Sequence, residues 1–157
     1  DPDWTAGARW AFDKGAGLAY VEDVVHVRKS AGDVENTVKA TAAIDGRACW
    51  QVIEQEPGSS GKLLVAHYAK LLRGYVVKGH RPTGPKETRA RILAAAMEND
   101  LVRWLPFPAL TAAISELVGF PNVAHDDMVD ALSGGYFFVT KPSQGRTGVA
   151  RGSLPRR

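Results

Sequence analysis

Residues Gln51-Val52-Ile53-Glu54-Gln55-Glu56-Pro57-Gly58-Ser59-Ser60-Gly61-Lys62 pass from a β-branched apolar run to carboxylates and then to a Gly/Ser turn. Val52 and Ile53 follow Trp50 and favour a strand. Ser59 and Ser60 are good N-caps for the helix marked by Leu63, Leu64, Tyr68, Leu71 and Leu72. The stretch therefore reads as strand, turn, helix. Side chains on a strand alternate between faces, so Val52, Glu54 and Glu56 share one face and Ile53 takes the other. Glu54 then stands at the carboxyl end of a strand expected to be buried, where α/β sheets place their ligand chemistry.

A carboxylate in a buried strand is costly unless it is paired, hydrogen-bonded or bound to a cation. The far end of the chain offers the partners. His125-Asp126-Asp127-Met128-Val129-Asp130-Ala131-Leu132 sets three carboxylates and an imidazole at the start of an apolar helix running through Tyr136, Phe137 and Phe138. Oxygen donors at this density suit a hard cation such as Mg²⁺ or Mn²⁺. Asp126 alone reads first as a helix cap, and Glu54 alone as a structural acid; together they carry more.

A chain of 157 residues, 45% hydrophobic and 24% charged, has enough core for one α/β domain, placed at residues 1–140. The single Cys49 excludes an internal disulfide scaffold or a cysteine-built zinc site, and fits an intracellular, reducing compartment. No apolar stretch reaches the ~18 residues of a membrane span, and the start carries no secretion signal, so no membrane partner is expected. The net charge of +3 is uneven: Lys141, Arg146, Arg151, Arg156 and Arg157 lie in a terminal stretch without acids, leaving −2 for residues 1–140. Residues 141–157 lack apolar periodicity and read as a flexible basic tail, attractive to phosphates.

In chain order, Thr5–Phe12 and Leu18–Arg28 flank a Gly-rich turn and predict a β-hairpin. Ser30-Ala31-Gly32-Asp33 matches a capping box, and Val34, Val38 and Ala42 share the face of the helix it opens, which Asp45-Gly46 ends. A strand over 49–54, a helix over about 59–73 with Gly74 as its cap, and a strand over 75–78 follow. Residues 79–86 form a loop with cations, 86–99 a helix, and 101–105 a strand. Two helices, over 108–117 and from 126 to about 140, complete the chain around a turn at 119–122.

The Gly58–Lys62 turn invites a phosphate-loop reading, but Glu56 stands where the first glycine belongs and Leu63 where the hydroxyl belongs. His26, His67, His80 and His125 lack the paired spacing of a zinc hydrolase. His125 alone abuts aspartates, where it could orient a carboxylate, shuttle a proton, or only precede the helix. Lys86, Arg89 and Arg91 open a helix, where cations oppose the dipole. A phosphate-facing surface would explain them; a solvated charged face would also.

The order of pieces resembles the nuclease domain of the large terminase subunit of tailed phages and prophages, an RNase H-like α/β fold with a mixed sheet flanked by helices. The resemblance spans about residues 3–139. It rests on Asp3-Trp4-Thr5-Ala6-Gly7, Tyr20-Val21-Glu22-Asp23-Val24-Val25, the Ile53–Lys62 stretch, Lys86-Glu87-Thr88-Arg89-Ala90 and His125–Ala131. It implies a two-metal endodeoxyribonuclease that cuts concatemeric double-stranded DNA during genome packaging, in the host bacterium's cytoplasm. Glu54 matches the second acid of the family's metal-binding triad, and the Asp126/Asp127 pair the third. The implied partners are the terminase ATPase domain, the small terminase subunit and the portal. The ATPase domain that normally precedes this one is not in this sequence, nor is any Walker motif.

One departure concerns the first acid. In the family it lies on an opening central strand ahead of the position matched by Asp3-Trp4-Thr5, so Asp3 resembles an auxiliary acid near the site. The sheet is accordingly expected to be short of its first strand, and cleavage to be weak. The expected ligands are Glu54, Asp127 or Asp126, and Asp3, with His125 beside them. Lys62, Lys86 and Arg89 are expected to face the DNA backbone. The competing reading is a catalytically incomplete DNA-binding or motor-contacting remnant of the same fold.

Overall fold

The computed structural model describes residues 3–142; all but the first two residues of the expected basic tail lie outside this range. The described chain forms two compact units. One ends at Lys29 and resumes at Gly84, and the other is Ser30–Thr83.

The first unit is built on a hairpin of β1 (Trp4–Asp13) and β2 (Leu18–Arg28). Its turn closes because Asp13 Oδ1 accepts from the N–H groups of Gly15 (2.9 Å) and Ala16 (3.1 Å), while Gly17 donates to the Asp13 carbonyl at 2.8 Å. Gly17 has φ 69°, a conformation that glycine adopts without cost. The register shifts between Arg9 and Trp10, which face Asp23 and Val21 respectively, so Glu22 is the extra residue of a bulge. Glu22 pairs with Arg9 at 3.0 Å. The short β5 (Val102–Trp104) joins β2 in parallel, giving a mixed sheet of order β1-β2-β5.

Helices α3 (Lys86–Glu98), α4 (Leu110–Gly119) and α5 (Asp127–Thr140) complete this unit, with α5 packed on β1 and beside both other helices. Gly135 permits the close approach to β1, because a Cβ there would overlap the Trp10 indole. Val21, Leu93, Val129 and Leu132 are fully buried. Each such side chain contributes about 1.5–3 kcal/mol relative to exposure.

The second unit runs α1 (Ala31–Asp45), β3 (Gln51–Glu54), α2 (Ser59–Leu71) and β4 (Val77–His80), with β3 and β4 parallel. Ser30 is the N-cap as expected: its Oγ accepts from the Asp33 N–H and donates to Asp33 Oδ2 at 2.7 Å, a side-chain variant of the capping box. Gly46, φ 83°, ends the helix.

Four local expectations change. The N-cap of α2 is Gly58, φ 99°, and Ser59 and Ser60 lie inside the first turn. Leu63 and Leu64 are 70% and 44% exposed, because α2 turns Gly61, Val65, Tyr68 and Leu72 inward at helical spacing. The strand after α2 begins at Val77, two residues late: Leu72 is the C-cap, and Gly74 and Tyr75 complete the turn. Strand β3 is also less covered than a central parallel strand, with Val52 37% exposed and Glu54 exposed. Its sheet has only two strands among the described residues, so one edge of β3 lacks a strand partner, as does one edge of β1.

Gly61 is tightly constrained, since a Cβ there would overlap the Glu56 backbone carbonyl where the chain doubles back into α2. Gly61→Ala should therefore cost roughly 1–3 kcal/mol, as overpacking does, read as a lower urea midpoint at unchanged slope. A wild-type midpoint would show that the turn relaxes freely. Among the described residues no helix is long and apolar enough to cross a membrane.

Candidate active site

The start of α5 carries the acids expected of the site, and in the first unit the end of β2 and the start of β1 join them. Trp4 stacks on His26 with ring centres 4.3 Å apart, and its ring centre lies 5.7 Å from that of His125. His26 Nε2 lies 4.0 Å from Asp127 Oδ2. Asp3 is exposed one residue ahead of β1.

The three helix acids have separate fates. Asp126 is the N-cap of α5, yet its side chain makes no capping hydrogen bond; Oδ1 instead accepts from the Lys86 ammonium at 2.9 Å. Asp130 is held from two sides, by Lys86 at 2.5 Å and by Arg89 Nη2 at 2.8 Å. Among the described residues Asp127, with its side chain 34% exposed, has only the distant His26 imidazole as an ion-pairing neighbour.

Two of the cations on α3, Lys86 and Arg89, are accounted for by these acids. Arg89 is 7% exposed, and its guanidinium also donates to the Gly84 carbonyl at 2.8 Å. Partial burial works to lower the Lys86 pKa, but its hydrogen bonds to Asp130 and Asp126, with their charges, outweigh this. The net result is an ammonium held above its usual value. Lys86 and Arg89, expected to face a DNA backbone, thus fasten α3 to α5, because aligned carboxylates one helix away satisfy them better than solvent.

A fourth acid was not anticipated. Glu116 of α4 is 8% exposed, and its Oε1 accepts from the N–H groups of Met128 (2.8 Å) and Val129 (3.0 Å). It thereby caps α5 from a neighbouring helix. Its only signal in the sequence is a lone acid in the apolar run Leu110–Gly119. His26 gave no signal, because nothing in the alternation of β2 distinguishes it.

Glu54 ends β3 in the second unit, at the carboxyl end of the parallel pair as expected, and the ladder continues through Gln55 N–H to the His80 carbonyl at 2.8 Å. Lys62 is exposed in the first turn of α2. Thus the structure gathers Trp4, His26, His125, Asp126 and Asp127 at one corner of the first unit, while Glu54 and Lys62 belong to the other unit.

Among the described residues no group of three or more His, Cys, Asp or Glu could hold a metal ion by itself. Mg²⁺ is commonly bound through one or two carboxylates, water and substrate phosphate. Asp127 fits that role as an accessible oxygen donor uncommitted to a cationic side chain in hydrogen-bonding range.

No curated protein significantly matches the sequence. The family model of the terminase RNaseH-like domain matches residues 1–137. Together with the mixed sheet and its alternating helices, that match makes this chain a member of the terminase RNaseH-like domain family, with an RNase H-like α/β fold.

Proposed function

We propose that the chain is the nuclease domain of a phage large terminase, cutting double-stranded DNA with the help of Mg²⁺ or Mn²⁺. The observation that carries this reading is Asp127: it stands in the first turn of α5, in a family of nuclease-type fold, with its carboxylate left open while Asp126 and Asp130 are committed to cations. Glu54, at the end of β3, is the second carboxylate of the reading, and Asp3 an auxiliary one. His125 stands in contact range of the same corner through Trp4.

Divalent ions, when bound, would favour attack of water on the phosphodiester and offset charge developing on the leaving 3′-oxygen. This chain's residues supply the rest. Asp127 presents an oxygen ligand in the first unit, where the His26 imidazole, stacked on Trp4, lies 4.0 Å from it, and Glu54 is the second acid by the family resemblance. Lys62 offers a backbone phosphate a contact that brings affinity without base choice. Packaging partners follow from the family: the ATPase domain, the small subunit and the portal.

A second reading has its own support. Two of the three α5 acids are tied into ion pairs, as in a domain that keeps the fold for DNA or motor contact and has lost part of its metal site. Nicking of supercoiled plasmid with Mn²⁺ separates the two. The nuclease reading expects cleavage that Glu54→Ala reduces to background; equal background in both proteins favours the remnant.

A further inference from the structure

We infer that Glu116 is a positioning residue of this site, whose task is to cap α5 so that Asp127 remains free for a cation; the inference rests on the metal-site reading above. A helix N-terminus has unsatisfied N–H groups, and an acid in the N-cap or first turn is the usual acceptor. Asp126 and Asp127 are the nearest candidates for α5. Neither is used: Asp126 makes no side-chain capping bond, and both N–H groups go to a single buried oxygen of Glu116, twelve residues from Met128 in sequence.

The arrangement has an electrostatic and a geometric consequence. A carboxylate accepting two N–H bonds from the helix end makes charge-assisted hydrogen bonds, and the positive end of the dipole is occupied from within the protein. The outer carboxylates then stay off the helix end, Asp126 on Lys86 and Asp127 4.0 Å from the His26 imidazole. Arg89, through Asp130, holds the same first turn, so Met128, Val129 and Asp130 are fixed on two sides without Asp127. Without Glu116, the free N–H groups would draw in Asp126 or Asp127, and the carboxylate so captured would be lost to a cation.

The test is a Mn²⁺ titration of the intact protein, following free Mn²⁺ by electron paramagnetic resonance, with exchange of the Met128 and Val129 amides by NMR as a second readout. Glu116→Ala should weaken Mn²⁺ uptake about 10- to 100-fold, the range for groups that orient metal ligands, and should speed exchange of both amides. Glu116→Gln keeps an oxygen that can accept both bonds, and should bind Mn²⁺ within about threefold of wild type, by the same argument. Gln keeps the proposal open to refutation even if Ala does not fold. A folded Gln variant with both amides still protected but Mn²⁺ uptake reduced tenfold would overturn the capping role, as would an Ala variant that binds like wild type. Uptake that depends on Asp127 but on neither Glu116 variant sinks this inference alone. A wild-type protein that binds no Mn²⁺ removes the metal reading and this one with it.

Discussion

Asp127→Asn should abolish Mn²⁺-dependent nicking, by roughly 100-fold or more, because groups that merely orient ligands already account for 10–100-fold in such sites. The fold should scarcely notice. Asp127 caps nothing, since Glu116 holds the Met128 and Val129 amides, and its nearest ion-pairing neighbour is 4.0 Å away. The variant loses only a favourable charge at a helix N-terminus, about 0.3–1 kcal/mol at an exposed site. At this chain length that is a melting shift of a few degrees at most. Plasmid nicking and calorimetry on the same preparation check both halves. Cleavage retained by Asp127→Asn and lost in Asp126→Ala would transfer the ligand role to Asp126, which would then have to release Lys86.

Arg89→Ala should show the opposite pattern, with a large loss of stability. The guanidinium is 7% exposed and makes two hydrogen bonds of 2.8 Å, to Asp130 and to the Gly84 carbonyl. Removing one member of a buried pair costs about 3–5 kcal/mol, because the surviving charge stays where water reaches it poorly. Asp130 is 26% exposed and keeps Lys86, which argues for the lower end. About 3 kcal/mol corresponds to a fall in Tm of roughly 6–12 °C for a chain of this size. Arg89→Lys should rescue little, since a single ammonium lacks the planar fork that spans Asp130 and Gly84. A loss under about 1 kcal/mol would mean that the pair behaves in solution as an exposed salt bridge.

The two variants divide the acids of α5 by task. Asp130 belongs to stability, through Arg89 and Lys86. Asp127 is the acid proposed for chemistry. Asp126 stands between them, with one oxygen on Lys86 and its side chain unused as a cap.

Features satisfied within a few residues were legible in the chain before any coordinates. The hairpin turn closes on Asp13 through amides two and three positions away, and α1 opens on a hydrogen bond between Ser30 and Asp33. The strand, turn and helix around Glu54, and the helix beginning at Asp127, followed from propensity, breakers and apolar spacing over windows of similar size. The α/β class and the family resemblance were legible for the same reason: they depend on the order of such pieces.

What tertiary packing alone decided is which partner each polar group meets. Arg89 and Asp130 are 41 positions apart, and Glu116 reaches amides 12 and 13 positions away, on a different helix. No periodicity encodes those distances, so cations at the start of α3 looked equally suited to phosphate, and Glu116 had no visible role. The inward face of α2 was misjudged on Leu63 and Leu64 for a related reason. A helix with apolar residues on several sides buries the stripe that its neighbours select, and here the tight return of the chain at Gly61 selects Gly61, Val65, Tyr68 and Leu72. Local hydrogen bonds set where each element starts and stops, whereas long-range packing sets which of its side chains are buried, paired or left open for chemistry.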